Sequence, residues 1–386
     1  MDKLVNRLKY ILLLPLSLVW KAAVVLRNKL YDSGRLASCR FGIPLISVGN
    51  ITVGGTGKTP HTEYLAEMLS RDFSLSVLSR GYRRKSKGFQ YVESGDRASE
   101  TGDEPLQIKR KYPEIIVAVD ADRAHGIRRL QSDYPSLDLI LLDDAFQHRK
   151  VTPSLNIVLI DCNRPVWNDS MLPAGRLRDC ISSLYRADII VVSKCPENIA
   201  GEEKQRYADR LKKYGKPVYF SRFEYGKEYP LSGGDSSLFD PANMLAVSGI
   251  ANPAVFFEQL EKQYPGSVIE KAVFPDHHAF SERDIRTVLK KAGSRTILTT
   301  EKDGVRLISY FCAAKEQVPA NIFCVPVKVK IDDSNSFNIN INSHVRKNKE
   351  NGRLYQNRNK PAPGYGNNTW KRTWRTGDKN RRTRNA

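Results

Sequence analysis

The run Ser47-Val48-Gly49-Asn50-Ile51-Thr52-Val53-Gly54-Gly55-Thr56-Gly57-Lys58-Thr59-Pro60 follows an apolar strand and opens a helical stretch. Glycines in such a turn let successive backbone N–H groups converge on phosphate oxygens, and a helix N-terminus adds positive potential. Lys58 is spaced to reach the β and γ phosphates, and the Thr59 hydroxyl to reach Mg²⁺. Residues Thr52 through Thr59 therefore read as an ATP-type phosphate cradle. One position departs from the usual pattern: Thr52 stands where glycine is expected ahead of the Gly57-Lys58 pair, with Gly49 and Gly54 around it.

Two further groups carry acids. Leu137–His148 reads LDLILLDDAFQH, an apolar strand ending in Asp143 and Asp144, which puts carboxylate at the carboxyl edge of a sheet where Mg²⁺ needs a ligand. Neighbouring strand residues face opposite ways, so Asp143 and Asp144 are not expected to hold the same ion together. In Thr101-Gly102-Asp103-Glu104-Pro105 the acids open a helix, as the macrodipole favours. A sharper reading makes one of them the base that accepts a proton from an acceptor hydroxyl. Arg80, Arg83, Arg84, Lys85 and Lys87 form either a solvated face or a grip for anionic headgroups. Ser193-Lys194-Cys195-Pro196 occupies the place of a guanine-reading loop without its Asn and Asp, which disfavours a GTP switch.

The elements that must position these residues alternate. Strands are expected at 44–48, 74–79, 115–119, 137–142, 155–161 and 188–193, with helices at 58–70, 104–111 and 121–131 between them. That order predicts an α/β fold of the phosphate-loop NTPase type, a mostly parallel sheet with helices on both faces. A second series from about 217, including strands at 218–222, 244–248, 267–274, 296–299 and 323–329 and helices at 253–263 and 282–292, predicts a smaller C-terminal α/β unit. The expected division is an N-terminal region to 40, a phosphate-loop domain over 41–215, a smaller domain over 216–332 and a tail over 333–386.

The chain has 386 residues and a formal net charge of +20. Residues 1–40 carry a net +6 and residues 344–386 a net +11, which leaves the body near balance. The basicity lies at the ends rather than on a folded face, so the charge argues poorly for a nucleic-acid wrapper. The six cysteines show no CxxC or Cys/His metal spacing, which fits a reducing compartment. At the N-terminus the uncharged run from Tyr10 to Trp20 is eleven residues long, short of a bilayer span, and Trp20-Lys21 is a poor cleavage site. An apolar run beside Lys3, Arg7, Lys9, Lys21, Arg27 and Lys29 predicts a helix at the membrane interface; the alternative is a helix packed as core. The Asn-rich and then basic stretch beyond Asp332 cannot fold alone by composition.

GNITVGGTGKTP, LSRGYRRKSKG, TGDEP, DDAFQHR, LPAGRLRD, FPDHHAF and TTEKD, in that order, resemble the tetraacyldisaccharide 4′-kinase family of lipid A biosynthesis over residues 1 to about 330. The resemblance implies ATP and Mg²⁺ as cofactors and a lipid A disaccharide precursor as acceptor. It also implies an anionic membrane surface as partner, at the cytoplasmic face of the bacterial inner membrane. Carried over residue by residue, Lys58 and Thr59 hold nucleotide phosphate and Mg²⁺, Asp103 is the base and His277 its partner. Glu104, Asp143 and Asp144 organise Mg²⁺, and Arg178 contacts the transferring phosphate. Gln147 and His148 lie beside that site. Which of His277 and His278 faces the cleft is open, and TTEKD has no assigned role. Because His277 falls in the second series, its pairing with Asp103 requires the two units to approach, with closure in the cycle. The other class these residues allow is a phosphate-loop ATPase switch or partition protein whose tail, with Tyr355, Tyr365, Trp370 and Trp374 among its cations, grips nucleic acid. Nothing in the body resembles a nucleic-acid fold, so no such partner is expected.

Overall fold

The structure, a computed structural model, describes residues 2–358 and the side chains of 10–350. The strands are β1 (Leu45–Asn50), β2 (Leu75–Ser79), β3 (Gln90–Tyr91), β4 (Ile116–Val119), β5 (Leu139–Asp143), β6 (Leu155–Asp161), β7 (Ile189–Ser193), β8 (Val218–Tyr225), β9 (Tyr229–Pro230), β10 (Asn243–Ser248), β11 (Val268–Val273), β12 (Thr296–Thr300), β13 (Ile322–Val325) and β14 (Val327–Ile331). The helices are α1 (Asp2–Asp32), α2 (Lys58–Leu69), α3 (Ala98–Thr101), α4 (Asp103–Lys111), α5 (Arg123–Asp133), α6 (Gly201–Lys212), α7 (Pro253–Gln263), α8 (Glu282–Ala292), α9 (Glu301–Ala314) and α10 (Ser334–Arg358).

Nine strands form one sheet in the order β14-β8-β7-β6-β1-β5-β2-β4-β3. The seven from β8 to β4 are parallel to their neighbours, and the edge strands β3 and β14 are antiparallel. Both faces are covered: Leu139 and Leu141 pack with Leu65, Leu69 and Leu106, while Ile140 and Leu142 pack with Ile127 and Leu130. This double burial is why the strands read as continuous apolar runs rather than as alternation. β1 lies between β5 and β6, with Val48 level with Asp143, so the loop leaving β1 and the acids ending β5 emerge side by side.

The second sheet runs β11-β10-β12-β13-β9, with α7, α8 and α9 packed on it. Its start differs from the expectation. Val218–Tyr225 belongs to the nine-stranded sheet, because α6 is a crossover that returns the chain beside β7, and the chain enters the second sheet only at Tyr229. The strand expected over 323–329 is two strands broken at Pro326; β13 stays in the second sheet and β14 returns to β8. Proline cannot donate to a ladder, which places the break.

The stretch after Asp332 is also corrected. α10 is a helix because Phe337, Ile341 and Val345 recur at four-residue spacing and bury completely, with Tyr64 and Tyr219 against Phe337. Each such side chain contributes about 1.5–3 kcal/mol when withdrawn from water, which offsets the poor propensity of the Asn-rich sequence. Residues 359–386, the rest of the expected tail, lie outside the described residues.

α1 is continuous through Pro15. Its uncharged run alone is short of a span, but the helix over Tyr10–Asp32, which continues past Lys21, is long and apolar enough to cross a membrane by length and composition. It is not core. Val24 and Ser17 are buried, whereas Leu12 is 77% exposed and Val19 69% exposed. Its C-terminal half docks through Asn28 Nδ2 on Asp179 Oδ1 at 2.9 Å and Arg149 on Asp32 at 2.6 Å.

His61, in the first turns of α2, ties the phosphate loop to β8. Its Nδ1–H donates to Gly57 O at 2.7 Å, and its Nε2 accepts from Ser221 Oγ at 2.9 Å. Burial pulls its pKa down to about 4, and burial does the same to His148. The unfolded chain takes up these protons near pH 6.5 and the native chain only near 4. Stability is therefore lost as pH falls through that window, by up to about 1.4 kcal/mol per group and pH unit. We expect the urea midpoint to fall between pH 6.5 and 5, with a shallower slope in His61→Gln; an unchanged slope would contradict this account of His61.

Candidate active site

Gly54 and Gly57 adopt φ of +102° and +87°, the left-handed region that glycine enters without strain. Gly57 is also confined, because a Cβ there would lie 2.5 Å from the Phe223 ring. Val53, Gly54 and Gly55 are exposed, so the mouth of the loop faces solvent. Its base is fixed: Asn50 Nδ2 donates to Thr56 Oγ1 at 2.6 Å, Ser193 Oγ to Thr56 O at 2.8 Å, and Val53 N to Arg176 O at 2.8 Å. Thr52 is buried and bridged to Leu177, which gives the residue in the unusual position a structural anchor.

Beside the loop, Asp144 gathers two cations. Lys58 Nζ lies 3.7 Å from Asp144 Oδ2, and Arg178 binds the same carboxylate with both Nη atoms while reaching Asn50. Burial raises the pKa of Asp144, but Lys58 and then Arg178 outweigh it and hold the value at about 2. Asp143 points elsewhere, accepting from Thr62 Oγ1 and Ser79 Oγ at 3.3 Å each. Burial, and next the charge of Asp144, push it up to about 6. Burial likewise pulls the Lys58 ammonium below its ordinary value. Gln147 Nε2 donates to Asn50 O at 2.7 Å, and the His148 Nε2 is buried without a hydrogen-bond partner among the described residues.

The second cluster joins the two sheets. Asp103, the first residue of α4, accepts from His277 Nδ1 at 2.8 Å and from Arg306 Nε at 2.8 Å. Burial raises its pKa, but the bond from His277 and the charge of Arg306 outweigh it, so the carboxyl sits below its ordinary value. His277 has φ of +59° and lies edge-on to Tyr82, 5.5 Å between ring centroids. His278 turns away, contacting Asp284 at 3.0 Å beside the Ser281 cap of α8. The pair Asp103–His277 is already made, so no closure is needed to form it.

TTEKD (Thr299–Asp303) acquires a place. Thr300 caps α9, its Oγ1 accepting from Asp303 N at 3.1 Å, and Asp303 binds Arg306 at 2.8 Å. Lys302 Nζ lies 3.0 Å from Glu104 and 3.1 Å from His277 Nε2, so it donates to the ring and leaves Nδ1–H facing Asp103. Glu301 and Glu63 flank Lys111 at 2.9 and 2.7 Å, joining α9, α2 and α4 beneath the site. Of these, Lys302, Asp303 and Arg306 were not among the residues expected to serve the site. The sequence signal was Lys302 and Arg306 four apart on a Thr-capped helix, hence on one face. In the basic loop, Arg83 Nη1 donates to Asp276 O at 3.4 Å, which places that loop against the segment carrying His277.

Among the described residues no three His, Cys, Asp or Glu side chains converge as a ready metal cage. The donor set still fits Mg²⁺, which takes one or two carboxylates plus substrate phosphate oxygens rather than an all-protein cage. Thr59 and Asp144 stand at the loop with partial exposure, Asp143 lies behind them, and Glu104 is paired with Lys302 at 3.0 Å.

A parallel sheet, a glycine loop ending in Gly-Lys-Thr on a helix N-terminus, and acids closing the adjacent strand define a phosphate-loop protein of the NTPase class. The family of the tetraacyldisaccharide-1-P 4′-kinase, LpxK, matches residues 9–346. A tetraacyldisaccharide 4′-kinase of Phocaeicola vulgatus is 43% identical over 354 residues, 88% of this chain and 96% of the relative. One of Bacteroides thetaiotaomicron is 40% identical over 368 residues, 90% of this chain and 96% of the relative. A crystal structure of LpxK from Aquifex aeolicus, described as an "apo" form in complex with ATP, superposes with a TM-score of 0.70 at 30% identity. It covers 87% of this chain and 99% of that one. The chain belongs to the tetraacyldisaccharide-1-P 4′-kinase family.

Proposed function

We propose that this chain transfers the γ-phosphoryl group of ATP to the 4′-hydroxyl of a tetraacyldisaccharide 1-phosphate, a lipid A precursor, at the cytoplasmic face of the inner membrane. The observation that carries this reading is the Asp103–His277 pair at 2.8 Å, with Lys302 joining its histidine to Glu104 at 3.1 and 3.0 Å. Phosphoryl transfer through a loose transition state asks for positioning and charge neutralisation. Lys58 and the loop amides bind the nucleotide phosphates. Asp144 keeps Lys58 and Arg178 pointed at that space until phosphate oxygens compete for them. Thr59, with Asp144, Asp143 and Glu104 around it, would hold Mg²⁺, which when bound would supply charge neutralisation to the phosphates.

On the acceptor side, Asp103 takes the hydroxyl proton as the oxygen attacks phosphorus. His277 and Arg306 keep its carboxylate ionised and aimed. The exposed apolar side of α1 lies in the interface, with its cations toward anionic headgroups, and presents the lipid-held sugar to the site. ADP release measured in detergent micelles, with and without the tetraacyldisaccharide 1-phosphate, tests the reading: turnover should require the lipid.

The ends of the chain make a separate prediction. Deleting residues 1–27 should lower vesicle sedimentation and activity on lipid-embedded acceptor at both low and high salt, since apolar burial is not screened. Deleting 359–386 should leave catalysis intact and reduce sedimentation only at low salt. A cut at 344 is unsuitable, because it removes the buried Val345 and the Lys349–Asp138 pair at 2.6 Å. Full sedimentation of the N-terminal deletion at high salt would contradict the interfacial role of α1.

A further inference from the structure

We propose that Arg306 is a positioning residue for the reaction: it saturates Asp103 Oδ2 and so leaves Oδ1 as the atom that accepts the proton of the acceptor hydroxyl. The proposal rests on reading Asp103 as the base.

The geometry is one-sided. Arg306 Nε at 2.8 Å, Arg306 Nη2 at 2.6 Å and His277 Nδ1 at 2.8 Å all meet Asp103 Oδ2. Among the described residues no hydrogen bond is made to Oδ1. A carboxylate oxygen offers about two lone-pair directions. The hydrogen bonds from Arg306 Nε and His277 Nδ1 use both directions on Oδ2, with Arg306 Nη2 in ion-pair contact beside them, so the proton must go to the other oxygen.

Arg306 can impose this because it is itself immobile. Its side chain is 4% exposed, and its Nη1 donates to Gly249 O at 3.0 Å and to Asp303 Oδ1 at 2.8 Å. Asp303 is fully buried and is fixed in turn by Gly249 N at 2.9 Å and Thr300 Oγ1 at 2.8 Å. His277 N donates to the same Gly249 O at 3.2 Å. One glycine carbonyl after β10 therefore registers both groups that grip Asp103. Lys302, one turn earlier on α9, holds the far nitrogen of His277. With Nε and Nη1 hydrogen-bonded and Nη2 buried against Asp103, Arg306 presents no group to a substrate phosphate, which separates it from Lys58 and Arg178.

The two things a guanidinium does here have opposite signs. Its charge weakens Asp103 as a base, whereas its planar fork fixes the carboxylate plane. If fixing dominates, loss of the fork lowers kcat; if charge dominates, loss of the charge raises it. We expect Arg306→Lys, which keeps charge without the fork, and Arg306→Gln, which keeps neither, each to lower kcat about tenfold or more, since small misplacements of a reacting group cost that much. KM for ATP and for lipid should each stay within about twofold, because no substrate contact is lost. Asp303→Asn, which loosens the guanidinium without touching Asp103, should lower kcat in the same way by a smaller factor, and it serves should the Arg306 variants fail to fold.

The double variant Arg306→Lys/Asp103→Asn completes the test. If Arg306 acts through Asp103, the second change adds little to the loss from Asp103→Asn alone. Losses that multiply, a rise in KM with kcat intact, or an unchanged or raised kcat in Arg306→Lys while Asp103→Asn is inactive would each overturn the proposal and leave the base assignment standing. Wild-type kcat in Asp103→Asn would instead overturn the base assignment.

Discussion

Lys58→Ala should lose phosphoryl transfer by about 10³-fold or more while remaining folded, the scale on which removal of a preorganised charge-stabilising group acts. The ammonium is held at the loop by Asp144 rather than by core packing, so truncation leaves no hole in the sheet. It does leave Asp144 with Arg178 alone, and Arg178 already spans Asp144 and Asn50 and has no freedom to replace Lys58. Both kcat and nucleotide affinity should fall, because the cation meets phosphate before the transition state and in it. Thermal melting in the absence of nucleotide should change little, and nucleotide should no longer raise the melting temperature. Wild-type-like turnover of the purified variant would remove the phosphate-loop assignment.

Asp103→Asn should lower kcat by about 10²-fold or more, with little change in KM for ATP, because an amide oxygen cannot take a proton but fills the same space. The contrast with Lys58→Ala is the informative part. One loss is felt on the nucleotide side and the other only once an acceptor hydroxyl is present. His277→Ala should cost less than Asp103→Asn, since Arg306 still grips the carboxylate, and His278→Ala should cost little, since His278 contacts Asp284 instead. A loss confined to KM in Asp103→Asn would return that residue to the role of a helix-opening acid.

How much of this could be seen in the residues differs from one part of the site to another. The nucleotide side is contiguous. Val48 to Thr59 is a strand, a loop and a helix start in a single run, and Asp143-Asp144 closes a strand that the apolar pattern marks plainly. Local sequence decides local structure there. The proposed acceptor side is assembled across separations such as the 203 residues between Asp103 and Arg306, and no periodicity reports such a contact. Arg306 in particular sits on a helix, where a cation reads as solvated; only the fold buries it. His277 rested on resemblance alone, and its separation from His278 came from a positive φ at 277 that directs neighbouring side chains apart.

Errors in the fold have similar causes. The strand expected at 218–222 in the second unit joins the first sheet because the helix Gly201–Lys212 before it, absent from the expected elements, is a crossover. α10 does not show in the residue pattern because Phe337, Ile341 and Val345 are diluted by asparagines, and three apolar residues per helix suffice only when a finished core waits for them.

The central claim is a γ-phosphoryl transfer from ATP to a sugar hydroxyl governed by Asp103. Its most direct test follows the label. ATP carrying a labelled γ-phosphate is incubated with the wild-type chain and tetraacyldisaccharide 1-phosphate in micelles, and the position of the new phosphate is read by phosphorus NMR. One labelled monoester at the 4′ position for each ADP formed, appearing more slowly in Asp103→Asn by about 10²-fold or more, is the expected result. Labelled inorganic phosphate released whether or not the lipid is present, with no labelled lipid, would contradict the account and make the chain an ATPase instead.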